Sequence, residues 1–179
     1  LSKTAGTATF TGNVSGNGLT INGNGGTLNL GTGLTHTFTG TWTNTIGTLN
    51  GGSSILILGN NGTFTAGTFT CGTGTVNYNA AGVQTVAGVT YNNLTISGSG
   101  TKTLGGAAIV GGTLTLTSGS FAVAGNTLTL NGPTIAGIPA NLVTTAVSNI
   151  TFGGSTAGVL IPTSVVALNR SEEHTSALS

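Results

Sequence analysis

Residues 91–132 constrain this chain more than any other stretch. They read YNNLTISGSGTKTLGGAAIVGGTLTLTSGSFAVAGNTLTLNG. Short bursts alternate apolar and polar residues: Asn93–Ser97, Thr113–Thr117 and Thr127–Leu130. Gly, Ser or Asn closes each burst. Alternation with a period of two, bounded by turn formers, is the signature of a half-buried β-strand. It sends Leu94, Ile96, Leu114, Leu116, Leu128 and Leu130 to one side and the intervening Thr, Asn and Ser to the other. Recurrence of one such unit points to stacking.

The rest of the chain has the same texture. Residues 1–33 hold short strands separated by Gly turns, and residues 51–78 hold SILILG followed by TFTAGTFTCGTGTVNY. The prolines, at 133, 139 and 162, fall after this block and mark corners or edges, because Pro cannot donate to a sheet ladder. Strands are expected to continue through LVTTAV, NITFGG and SVVAL. No segment sustains a 3.6-residue period, so the chain is expected to be all-β.

Two closures of these strands are open. A β-sandwich would show regular hairpins with Asn-Gly or Asp-Gly turns. A right-handed parallel β-helix, or β-solenoid, would show short strands separated by Gly and Asn corners, with like residues stacked between rungs. GSG, GG, TSG and GN separate the bursts in the central block, which favours the β-helix. Leu94 and Leu114 are 20 residues apart, yet the TLTL of Thr127–Leu130 follows that of Thr113–Leu116 after 14. A coil of roughly twenty residues predicts about eight rungs and a rod roughly 35–40 Å long.

Charge restricts function. Charged residues make up 3% of the chain, against roughly a quarter in an ordinary domain. Residues 1–169 carry Lys3 and Lys102 and no Asp or Glu; Arg170, Glu172 and Glu173 all fall in the last ten residues. Without carboxylates, this span lacks the acid pair of a glycosidase, the acid of a Ser-His-Asp triad and the ligands of an EF-hand. A formal charge of +1 gives no footprint for nucleic acid, and no apolar run is long enough to insert in a membrane. No enzyme activity, cofactor or metal is expected. Cys71 reads as a small buried residue and His36 as a surface residue. Asn13, Asn61, Asn93 and Asn149 begin N-x-S/T triplets, which a chain this rich in Asn and Thr supplies by chance; they read as corner or ladder residues.

Some surface candidates remain. In residues 34–50, Thr35, Thr37, Thr39, Thr41, Thr43 and Thr45 share one face if the segment is extended throughout, with His36, Phe38, Trp42 and Asn44 on the other. These threonines form an array that could order water or touch a partner. Exposed Trp42, Tyr78 and Tyr91 are candidate sugar contacts. Ice binding through Thr-x-Thr pairs needs regular stacking on a flat face, and the irregular spacing speaks against it.

The stretch GLTINGNGGTLNLGTG (18–33) resembles the autotransporter-associated β-strand repeat. The blocks from GTFTAGTFTCGTGTVNY to GNTLTLNG resemble Gly/Thr/Asn-rich repeats of large bacterial secreted and surface-attached proteins. The resemblance covers most of residues 18–169. It implies an exported, surface-associated β-helical protein: a segment of a surface fibre, adhesin stalk or matrix filament, associating end to end or laterally. A module that binds glycan or host surface is the alternative. RSEEHTS (Arg170–Ser176) resembles a translated sequencing adapter, so residues 1–169 are expected to form one solenoid segment of a longer protein and 170–179 a non-native or disordered tail.

Overall fold

The computed structural model describes residues 1–64, 67–132, 134–155 and 160–166, with backbone alone at 62–64. The expected tail at 170–179 and the end of the expected SVVAL strand lie outside the described residues; Ser164–Val166 of that segment carry no strand.

The chain is a parallel β-solenoid with three strands per coil. The first coil is β1 (Thr7–Thr9), β2 (Ser15–Gly16) and β3 (Leu19–Ile21); the second is β4 (Thr27–Asn29), β5 (Thr35–Phe38) and β6 (Trp42–Asn44). The third is β7 (Thr48–Asn50), β8 (Ile55–Leu58) and β9 (Gly62–Phe64); the fourth is β10 (Thr68–Thr70), β11 (Thr75–Tyr78) and β12 (Gln84–Val86). The fifth is β13 (Thr90–Tyr91), β14 (Asn93–Ile96) and β15 (Thr101–Leu104); the sixth is β16 (Ala108–Val110), β17 (Leu114–Leu116) and β18 (Ser120–Ala122). The seventh is β19 (Thr127–Leu130), β20 (Ile135–Gly137) and β21 (Leu142–Val143), and β22 (Asn149–Phe152) opens the next. The one helical element among the described residues is a 3-10 turn, Pro139–Asn141, with Pro at its start.

The middle strands of all the coils form one continuous seven-stranded sheet, β2-β5-β8-β11-β14-β17-β20. At about 4.8 Å per strand, it is about 30 Å long. The described residues hold seven full coils and the first strand of an eighth, against the about eight expected. The first strands make one flanking face and the third strands the other. Each flanking face is broken once: β1-β4-β7-β10 gives way to β13-β16-β19-β22, and β3-β6-β9 to β12-β15-β18-β21. Register in the continuous sheet gives coil lengths of 22, 20, 20, 18, 20 and 21 residues. The breaks fall beside the 18-residue step between β11 and β14.

Alternation builds the core. Leu56, Val76, Leu94, Leu114 and Ile135 stack in one inward column of the continuous sheet, with His36 at its head. Phe38, Leu58, Tyr78, Ile96 and Leu116 stack in the other. All six central-block residues expected to face inward are buried. Trp42 lies in register with Gly62 of the next coil and meets Phe38 edge-on at 5.2 Å. Truncating an aliphatic residue in such a column costs about 2–5 kcal/mol.

Candidate functional site

The structure bends the 34–50 segment. β5 belongs to the continuous sheet and β6 to a flanking face, with a corner at Thr39–Thr41 between them. Thr35 and Thr37 thus point out from one face and Thr43 from another, and Thr39, Thr41 and Thr45 are exposed at the corners. The single extended array is corrected: a corner every few residues is what closes a three-strand coil.

The aromatic candidates are corrected as well. Trp42 and Tyr78 are 0% exposed and Tyr91 1%, so none offers a sugar platform. Each occupies an inward position of its strand. His36, expected at the surface, is also fully buried.

Polar side chains turned inward hold the corners. His36 Nε2–H donates to the Leu30 carbonyl at 2.7 Å, and its Nδ1 accepts the Val14 amide at 3.2 Å. Gln84 reaches back across the fourth-coil break: its Nε2 donates to the carbonyls of Leu58 (2.9 Å) and Asn60 (2.6 Å), and its Oε1 accepts the Ala80 amide. Lys102 stands one rung above Gln84 and is fully buried. Its Nζ donates to the carbonyls of Ala80 (2.8 Å), Gly82 (3.1 Å) and Ser99 (2.7 Å). Burial pushes the Lys102 ammonium below its ordinary pKa. Tyr78 and Tyr91 close a ring with residue 87: the Ala87 amide donates to Tyr78 Oη, Tyr78 donates to Tyr91 Oη at 2.9 Å, and Tyr91 donates to the Ala87 carbonyl at 2.7 Å. Around the short coil, these bonds replace ladder bonds that the flanking faces lack.

Of the triplet asparagines, Asn13 and Asn61 sit at corners, while Asn93 and Asn149 open β14 and β22. The Oδ1 atoms of Asn13, Asn61 and Asn93 accept the amides of Thr35, Thr85 and Thr113, each at 2.9 Å. Among the described residues, no three His, Cys, Asp or Glu side chains come together.

The most regular surface feature was not singled out from the sequence. On the first flanking face, Thr7, Thr27, Thr48 and Thr68 stand in register, and beside them Thr9, Asn29, Asn50 and Thr70. The residue between each pair (Ala8, Leu28, Leu49 or Phe69) faces inward and is buried or partly so. The available signal was Gly-Thr-x-Thr/Asn, beginning at Gly6, Gly26, Gly47 and Gly67. Its spacings of 20, 21 and 20 residues match the coil.

No protein-family model, curated protein or solved structure matches the chain.

Proposed function

We propose that the chain is a structural and adhesive exoprotein, a β-helical segment of a surface fibre, adhesin stalk or matrix filament. One observation carries this reading: like coils stack into a single continuous ladder, whose first and last described strands have an unpaired edge. In the continuous sheet, β2 and β20 each pair on one side only, and among the described residues no strand caps β20, β21 or β22. Unpaired strand edges are templates for another chain, and among the described residues Lys3 is the one charged side chain outside the core to guard them. Apolar exposure gathers at the same end: Ile138, Val143, Val147, Leu160 and Val166 are all exposed. The occupant proposed for that end is the first coil of a second copy. The sides are nearly free of charge, so no long-range repulsion opposes lateral contact. The role is mechanical, since tension would be borne by the ladder and the stacked aliphatic columns. Location outside the cell follows from the resemblance to secreted repeat proteins and belongs to the proposal.

Solution scattering and electron microscopy over a concentration series test it. Rods whose length grows in steps of the single molecule support end-to-end assembly. Dispersed monomers at high concentration would sink it.

A further inference from the structure

We propose that the first flanking face binds ice, through water held on its threonine and asparagine columns. Thr7, Thr27, Thr48 and Thr68 form one column and Thr9, Asn29, Asn50 and Thr70 the other. Adjacent strands lie about 4.8 Å apart, and residues two apart on a strand about 6.7 Å, so the outward groups sit on a near-rectangular net. Hexagonal ice repeats on its prism face at spacings close to both. The irregular spacing in the sequence disappears on this face, because corners absorb the length differences and leave the register intact.

The net is preorganised. Threonine is stiff about χ1. The Oδ1 atoms of Asn29 and Asn50 accept the amides of Gly31 (2.8 Å) and Gly52 (3.1 Å), which fixes both side chains. Each Thr offers a hydroxyl to bind water and a methyl to exclude it, so water is ordered before contact rather than during it. Beyond the break, the strands at the same place in the coil resume the pattern in part: Thr90, Ile109, Thr129 and Thr151 stand in register, interrupted at Ile109, with Thr127 and Asn149 alongside. No other face does this over so many rungs. The continuous sheet interrupts its threonines with Ile55 and Ile57.

The charge pattern selects the ligand. Among the described residues there is no carboxylate side chain, and the two lysines are Lys102, which is buried, and Lys3, at the end of the stack. A neutral net complements a neutral lattice and offers nothing to a polyanion. Crystalline polysaccharide is another neutral lattice, but Trp42, Tyr78 and Tyr91, which would stack on sugars, are inside. The inference does not depend on self-association.

The test is nanolitre osmometry on the full chain, with ice-crystal shape recorded. The parent is expected to show thermal hysteresis and faceted crystals. Thr27→Tyr and Thr48→Tyr, with parental circular dichroism and melting, are expected to lose both. Thr103→Tyr, on the third-strand face, is expected to keep both. Should the Tyr variants not fold, Thr48→Ser keeps the hydroxyl, removes one methyl and must still lower the hysteresis. Absence of hysteresis in the folded parent overturns the proposal. So does equal loss in Thr103→Tyr, parental hysteresis in Thr48→Ser, or a parent that binds crystalline polysaccharide and leaves ice unshaped.

Discussion

Tyr78 and Tyr91 are the chain's only tyrosines, and both hydroxyls are spent on one closed ring of hydrogen bonds. Burial pushes both above the ordinary phenol value, Tyr91 further, because its neighbour Tyr78 also disfavours a second charge. The unfolded chain therefore loses these protons first. Stability from the pair is complete below about pH 10 and is lost as pH rises through the raised values. Tyrosinate absorbance is expected to stay flat past pH 10 and to rise only together with loss of the circular dichroism signal. A normal titration in a folded protein would contradict the buried ring. Lys102 has the opposite sign: its lowered value makes the folded state gain stability as pH rises from that value toward about 10.5. Lys102→Met leaves the buried Ala80 carbonyl and the part-buried Gly82 and Ser99 carbonyls without their donor, at a cost of about 1–3 kcal/mol by denaturant melt. The inward position of Lys102 was legible, since TKTL places it beside Leu104. Its three carbonyl partners were not, because corners from two coils supply them.

Corners decide the element scale. Gly31, Gly52 and Gly72 stack at one corner, all with positive φ. A Cβ on Gly52 (φ +57°) would sit 2.1 Å from the Gly31 carbonyl oxygen, whereas a Cβ on Gly33 (φ +66°) meets nothing within 4 Å. Both alanine variants incur the left-handed penalty of about 1–2 kcal/mol. Only Gly52→Ala must also move backbone, so its loss is expected to exceed that of Gly33→Ala by at least about 1 kcal/mol. Equal losses in paired melts would mean that the coils are not held at this spacing. The strands themselves were legible, because alternation is local: Leu94, Leu114 and the rest point inward as read. The period was harder to read. The next partner of Leu114 is Ile135, 21 residues on, while Thr127–Leu130 belongs to a flanking face. Two interleaved faces with similar words blurred one regular coil. The Thr35–Thr45 array misled for the same reason, since alternation continues through a corner that nothing in THTFTGTWTNT announces.

A solenoid is close to one-dimensional: each coil touches only its neighbours, so stability is shared along the stack and fails first at the ends. Amide exchange should report this directly. In dilute protein, the amides of β8, β11 and β14, paired on both sides, are expected to exchange slowest and those of β2 and β20 fastest. Uniform protection across the seven strands would mean a single all-or-none unit and would remove the argument from open ends. Concentration separates fraying from docking. If the first coil of a second copy closes the exposed edge of β20, β20 gains protection as concentration rises, while β11, already paired on both faces, does not change. Lateral packing alone would leave β20 unprotected at every concentration, because it adds no ladder partner. A concentration-independent gradient would therefore leave a stable rod with open ends but rule out end-to-end assembly.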